Sequence, residues 1–160
     1  MKAIKILLAG LIIVSSFAVL NADKTMDLFQ SVSPQKATIV QKGEESCSVC
    51  GMNLPMFYKT NHIANVDNKK KQYCSLHCLM DDKENNHADT KGIKVVDVTS
   101  LKFIDAARAY YVVGSKRKGT MSMVSKYAFK NLKNAAKFAK ENGGAVMDFN
   151  AAYNEAKKDF

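Results

Sequence analysis

Hydrophobic and polar positions after residue 47 predict the same order of secondary-structure elements twice. In the first pass, period-two and helical patterns predict a strand, a strand, a helix and a strand over 62–66, 72–74, 75–86 and 93–98. In the second pass, they predict the same order over 109–113, 126–129, 131–142 and 145–149. The sequence therefore predicts an α+β fold of two related ββαβ units, with short antiparallel sheets and packed helices. The predicted units are residues 47–108 and 109–160.

The helix over 131–142 has the clearest signals. Leu132, Ala135 and Phe138 lie on one apolar stripe. Asn131 is a suitable N-cap, and the Gly143-Gly144 pair is typical of a helix end. A last helix is predicted over 151–157.

The first 22 residues have the pattern of a signal peptide. Lys2 and Lys5 precede an apolar run, and small residues near Ala22 offer a cleavage site. The apolar run is shorter than the roughly 20 residues that span a bilayer, so we expect cleavage, a periplasmic location and no permanent membrane span. Residues 23–46 form an amino-terminal segment of weak pattern in which we identify no chemistry.

The chain is basic, with a formal net charge of +9. Its densest basic runs, 69–71 and 116–118, are interpreted as solvated lysines in turns between strands. Nucleic acid is not an expected partner, because the chain is predicted to be exported and these runs have no interleaved aromatic residues. A docking face for an acidic partner or a membrane surface is the alternative interpretation.

All four cysteines fall into two pairs, Cys47/Cys50 and Cys74/Cys78, which have the spacings C-x2-C and C-x3-C. In an exported protein, two disulfides are the competing hypothesis. A helix over 75–86 would place Cys74 and Cys78 one turn apart, so that both sulfurs face a single ion. The spacing therefore favours a metal site, although a Cys47–Cys50 disulfide could form in the metal-free protein.

Three methionines accompany the cysteines in polar surroundings. Met52 follows the first pair in a C-x2-C-G-M motif, and Met121 and Met123 lie two residues apart in the basic loop 114–125. Thiolate and thioether ligands favour Cu(I). Zinc is the alternative, because four thiolates also form structural zinc sites and zinc gains little from methionine. Met80 and Met147 lie within apolar patterns and are interpreted as core residues. The predicted metal ligands are Cys47, Cys50, Met52, Cys74, Cys78, Met121 and Met123.

None of the three histidines is a predicted metal ligand. His77 points away from the cysteine face of a helix, so it is interpreted as solvated or as a residue that supports the ligands, and His62 and His87 are predicted surface residues.

No hydrolase, metalloprotease or phosphate-binding motif is present, so we predict that the protein is not an enzyme. A thiol oxidoreductase is the remaining enzyme hypothesis, because it also uses C-x2-C, but such motifs open a helix whereas residues 51–55 indicate a turn.

The C-x2-C-G-M motif, the Cys74–Cys78 cluster, the methionine loop and the ending over 135–149 together resemble the NosL family. This resemblance implies an exported Cu(I) chaperone for nitrous oxide reductase, with Cys50, Met52, Met121 and Met123 as the copper site. Many family members are lipoproteins, and this chain has no lipobox cysteine. The additional Cys74 and Cys78 are similar to the cysteine motifs of TRASH or YHS domains. They imply copper held mainly by thiolates, with nitrous oxide reductase or another periplasmic copper protein as the acceptor.

Overall fold

The computed structural model of the chain describes residues 43–160. The predicted signal peptide over 1–22 and nearly all of the segment 23–46 lie outside the described residues. The elements in chain order are β1 His62–Val66, β2 Lys69–Tyr73, α1 Leu76–Glu84, β3 Thr90–Asp97, β4 Lys102–Asp105, β5 Tyr110–Val113, β6 Lys126–Phe129, α2 Leu132–Asn142, β7 Ala145–Met147 and α3 Phe149–Ala156. Short 3₁₀ helices cover Leu54–Thr60, Ala106–Arg108 and Lys157–Asp159.

The strands form one sheet with the order β2-β1-β3-β6-β5-β7, and β4 pairs with β3. Within each predicted unit, the first strand lies between the second and the third and is antiparallel to both. The two halves join where β3 and β6 pair in parallel at Asp97 and Ala128. The predicted α+β class is confirmed, whereas the domain bounds 47–108 and 109–160 stay a prediction.

Helices cover both faces of the sheet. Neighbouring side chains of β5 point to opposite sides, and each side packs against different helices. Tyr111 packs in a core cluster with Leu79 of α1 and Ala152 of α3. Val112 packs in a second cluster with Phe138 of α2. The first cluster also contains three of the four cysteines and draws residues from both halves of the chain. The cysteine site is therefore built into the main core.

The hairpin between β1 and β2 differs from its prediction. Its turn consists only of Asp67 and Asn68, with φ values of 49° and 61°. Two positive φ values are typical of the two-residue turns that match strand twist. The run Lys69–Lys71, which was predicted in a turn, therefore begins β2.

Other local predictions also need correction. Asn131 occupies the N-cap position of α2, but its side chain makes no capping hydrogen bond. Gly143 ends that helix with a φ of 73°, as its sequence signal predicted. The prediction of a surface His62 is wrong: the side chain is fully buried, with Nε2 3.0 Å from Tyr111 Oη and Nδ1 2.9 Å from the Thr60 carbonyl. His87 is exposed.

Candidate metal centre

The first cysteine pair lies in a tight turn over residues 47–52, which we call the cysteine turn. The Cys47 N–H donates to the Met52 carbonyl at 2.8 Å, and the Gly51 N–H donates to the Cys47 carbonyl at 3.0 Å. Gly51 has a φ of 73°, a conformation that strains any residue with a Cβ. The C-x2-C-G sequence therefore folds back on itself and keeps its two thiols close together.

The cysteine turn is docked on β2. The backbone N–H and the hydroxyl of Ser48 both donate to the Gln72 carbonyl, each at 3.0 Å. Because Gln72 lies two residues before Cys74, these bonds hold the first cysteine pair against the second.

The second cysteine pair spans the junction between β2 and α1. Cys74 follows the last residue of β2, and Cys78 lies in the first turn of the helix. Ser75 caps α1, since its hydroxyl accepts a hydrogen bond from the Cys78 N–H at 3.4 Å. The helix begins at Leu76, so Cys74 is just outside it rather than on its first turn. The two Sγ atoms nevertheless lie 3.6 Å apart.

All four Sγ atoms lie within 4.8 Å of one another. Cys50 Sγ is 3.6 Å from Cys74 Sγ, the same distance that separates Cys74 from Cys78. A tetrahedral ion with metal–sulfur bonds of about 2.3 Å requires sulfurs about 3.8 Å apart. The four thiols, called the thiol cluster below, can thus bind one ion with little rearrangement.

Exposure divides the thiol cluster into two parts. Cys47, Cys74 and Cys78 are buried, with 4%, 0% and 1% of their surface exposed, whereas Cys50 is exposed. An ion in the cluster would be held by three buried sulfurs and reached from solvent through the fourth.

Hydrogen bonds within the cluster separate the thiol pKa values. The pKa of Cys47 is lowered because the thiols of Cys74 and Cys78 donate to its sulfur, as do the backbone N–H groups of Cys50 and Val49. The pKa values of Cys74 and Cys78 are raised, first by their hydrogen bonds to Cys47. These hydrogen bonds favour the thiolate form at Cys47 over Cys74 and Cys78. Because the other thiols must lose protons to become ligands, metal binding releases protons.

The predicted methionine ligands have different settings. Met52 is partly buried and packs against the core that contains the cysteines. Met121 and Met123 lie in residues 114–125, which we call the Met loop, and are 40% and 99% exposed. The structure thus places the two loop methionines at the surface, outside the buried part of the thiol cluster.

The Met loop is tied to the thiol cluster through two threonines. The Thr120 hydroxyl lies 2.9 Å from the Thr60 hydroxyl, which donates to the Cys74 carbonyl at 2.7 Å. Both threonines are buried. These positioning residues were not found from the sequence, because two threonines 60 residues apart give no local signal.

A second link joins the Met loop to the 3₁₀ helix Lys157–Asp159. Lys126 Nζ donates to Ser122 Oγ and to the Val124 carbonyl, each at 3.1 Å, and it lies 2.7 Å from Asp159 Oδ2. His77, the neighbour of Cys78, lies 3.5 Å from the same Asp159 oxygen.

His77 is packed rather than solvated. Its ring stacks on Phe160 with centroids 4.3 Å apart, and only 13% of the side chain is exposed. The geometry at Asp159 does not satisfy a hydrogen bond, so Nδ1 has no hydrogen-bond partner among residues 43–160. The interpretation of His77 as a solvated residue is corrected accordingly.

Comparison with known proteins identifies the family. The family model described as NosL matches residues 38–156, which is most of the chain. The fold is also similar to the crystal structure of the copper chaperone NosL from Shewanella denitrificans, with a TM-score of 0.56 and 24% sequence identity. That similarity covers 66% of this chain and 87% of the other. The search of curated proteins gives no match. The extent of the family match shows that this chain belongs to the NosL family.

Proposed function

We propose that this protein is an exported Cu(I)-binding metallochaperone that delivers copper to nitrous oxide reductase or to another periplasmic copper acceptor. Membership of the NosL family and the similar fold of a protein named as a copper chaperone support this proposal. The observation that carries it is the convergence of four thiols of which only Cys50 is exposed. Thiolates are the ligands that a soft monovalent cation prefers.

Delivery in this proposal is an exchange of ligands on the cargo ion. A sulfur or imidazole of the acceptor approaches from the exposed side, binds the copper and displaces Cys50. The buried thiols then leave in turn, and copper keeps its +1 charge throughout. Met121 and Met123 are exposed, and in this proposal the Met loop brings their thioethers, which need no deprotonation, to the solvent side of the ion.

Delivery by ligand exchange requires no catalytic step. The C-x2-C motif belongs to the cysteine turn, which is closed by a bridge between Ser46 and Asn53. A thiol oxidoreductase of the thioredoxin type would have this motif at the start of a helix. The local structure therefore supports metal carriage over disulfide exchange.

Export and the periplasmic location are part of the proposal and rest on the signal-like pattern of residues 1–22. Within residues 43–160, no helix combines the length and the apolar character needed to cross a bilayer.

A structural zinc site in a small binding module is the second candidate. It is favoured by one observation, the Sγ–Sγ distances of 3.6 Å, because they suit a closed tetrahedral site of four thiolates. The exposed methionines of the Met loop would then have no role at the metal.

An anaerobic competition titration with bicinchoninate tests the proposal. We expect Met121→Ala combined with Met123→Ala to weaken Cu(I) binding by roughly tenfold, because two thioethers are lost while the fold is kept. Met56→Ala is the matched control, since Met56 is 43% exposed and is not a predicted ligand.

Two results would contradict different parts of this proposal. In the first, the Met loop variant binds Cu(I) as tightly as the unmodified protein, which would remove the methionines from the site and leave the cysteines as its ligands. In the second, the protein retains only zinc and Cys78→Ser unfolds it, which would identify a structural zinc site.

A further inference from the structure

We propose that the exposed apolar side chains around the thiol cluster form a docking face for an acidic copper-accepting protein. This inference rests on the proposed function and specifies the surface through which delivery takes place. The docking face consists of Met56, Met121, Met123, Val124 and Phe160.

Met56 and Met121 are both linked to the 3₁₀ helix Leu54–Thr60, whose last residue donates to the Cys74 carbonyl. Met56 lies in the 3₁₀ helix Leu54–Thr60, and its N–H donates to Asn53 Oδ1, directly after the cysteine turn. Met121 follows Thr120, which is hydrogen-bonded to Thr60 at the end of the same 3₁₀ helix. Both methionines are therefore anchored next to groups that contact the cysteine segments.

Val124 and Phe160 are linked to the segment Lys157–Asp159 and to α1, the helix that carries Cys78. The Val124 carbonyl accepts a hydrogen bond from Lys126 Nζ, which also binds the carboxylate of Asp159. Phe160 follows Asp159 and stacks on His77, the neighbour of Cys78. The polar network thus fixes these two apolar side chains beside the start of α1.

Exposed apolar side chains are concentrated at this face. Among residues 43–160, seven large apolar side chains are exposed, and five of them belong to the docking face. The exposed fractions of these five are 43% for Met56, 40% for Met121, 99% for Met123, 40% for Val124 and 62% for Phe160. Such a concentration indicates a contact surface, and methionine side chains adapt readily to a partner.

The charge around the docking face selects an acidic partner. The Met loop contains three basic residues and no aspartate or glutamate. Two of the three, Lys116 and Lys118, are exposed. A positive field around an apolar contact steers an acidic protein towards it and raises the association rate.

A protein acceptor fits the site better than a membrane surface. The docking face is linked to the thiol cluster by the Thr120–Thr60 contact and by the stacking of Phe160 on His77, and Cys50 is the exposed thiol of that cluster. Exchange requires a metal ligand from the partner to approach that sulfur, and a bilayer surface does not supply one.

The test compares Cu(I) transfer from the loaded protein to two acceptors. One is apo-nitrous oxide reductase, and the other is dithiothreitol, a small uncharged thiol. We expect Val124→Glu and Met56→Glu to slow transfer to the reductase by roughly tenfold, because each places a negative charge in the contact. Transfer to dithiothreitol should be unchanged. Raising NaCl from about 0.05 M to about 0.5 M should slow only the transfer to the reductase.

Leu132→Glu is the matched control. Leu132 is 53% exposed and begins α2, which packs on the opposite face of the sheet from α1. Leu132→Glu should leave Cu(I) transfer to both acceptors unchanged. The proposal is overturned if the docking-face variants behave like Leu132→Glu, or if they slow transfer to both acceptors equally.

Two further experiments separate a protein-docking face from a membrane-binding face and from a face without a partner. In the first, the protein is mixed with phosphatidylglycerol vesicles. If it binds them, if Val124→Glu abolishes that binding and if transfer to the reductase stays normal, the face belongs to a membrane and the proposal is overturned. Surface plasmon resonance of the metal-free protein on apo-reductase tests docking even if Cu(I) is not bound. Association weakened by Val124→Glu but not by Leu132→Glu supports the face, and equal association of all variants overturns it.

Discussion

Backbone conformation at Gly51 determines how the first two thiols are presented. Its φ of 73° allows the cysteine turn to close, and no atom lies within 4 Å of the position that a Cβ would occupy. The cost of a side chain there is therefore conformational rather than steric.

Gly51→Ala should lower the free energy of unfolding by about 1–2 kcal/mol and also weaken Cu(I) binding, because the strained turn would no longer align Cys47 and Cys50. Gly143→Ala is the control, since Gly143 has the same φ, equally open surroundings and a place at the end of α2. It should reduce stability without changing Cu(I) affinity. Denaturant unfolding and competition titration measure the two effects, and equal affinities for both variants would exclude this role of Gly51.

His62 gives the fold a specific dependence on pH. Burial lowers the pKa of His62 to about 4, against an ordinary value near 6.5. The folded state therefore binds this proton less readily than the unfolded chain does. The neutral His62 side chain therefore contributes up to about 3 kcal/mol to the free energy of unfolding. This contribution is fully present above pH 6.5 and is lost as the pH falls towards 4.

His62→Gln should flatten the decrease in unfolding free energy between pH 6.5 and pH 4, although it also removes a buried hydrogen bond at neutral pH. His87→Gln is the control, because His87 is exposed. Urea unfolding across this range measures both variants. A slope as steep in His62→Gln as in the unmodified protein would show that another group is responsible.

The Met loop illustrates how separate elements are held together by few polar contacts. Its threonine link joins it to the 3₁₀ helix Leu54–Thr60 and to the Cys74 carbonyl, and its lysine link joins it to Asp159. Both links connect residues that are far apart in the chain.

Thr120→Val should lower the unfolding free energy by about 1 kcal/mol, since it leaves the buried Thr60 hydroxyl without this partner. It should also accelerate amide hydrogen exchange in the Met loop. Thr90→Val is the contrasting change: among the described residues, Thr90 Oγ1 is buried and has no hydrogen-bond partner, so its loss should be neutral or stabilising. Unchanged exchange in Thr120→Val would show that the threonine link does not hold the loop.

The element order was predictable from sequence because strand and helix periods are local. The pattern over 126–129 gave β6 with its correct bounds, and the cysteine spacing predicted that the four thiols converge. The strand Lys102–Asp105 was missed, since four residues without a flanking turn signal carry little pattern. The Asp97–Ala128 pairing and the burial of His62 depend on distant parts of the chain, so no local pattern indicated them.

At the scale of the whole molecule, one core holds the metal site and both halves of the sheet. Tyr73 and Cys74 from the first half pack in the same cluster as Tyr111 and Ala152 from the second. Denaturation followed by far-ultraviolet circular dichroism and by tyrosine fluorescence should therefore give one shared transition. Two separated transitions would show that the halves fold independently.

In the proposed function, four cysteine sulfurs from two segments hold a single Cu(I) ion. Native mass spectrometry of protein purified anaerobically from cells supplied with both copper and zinc tests it most directly. We expect one copper ion per chain and four reduced cysteines. A chain that carries zinc alone, or that carries copper after all four cysteines have been replaced by serine, would contradict it.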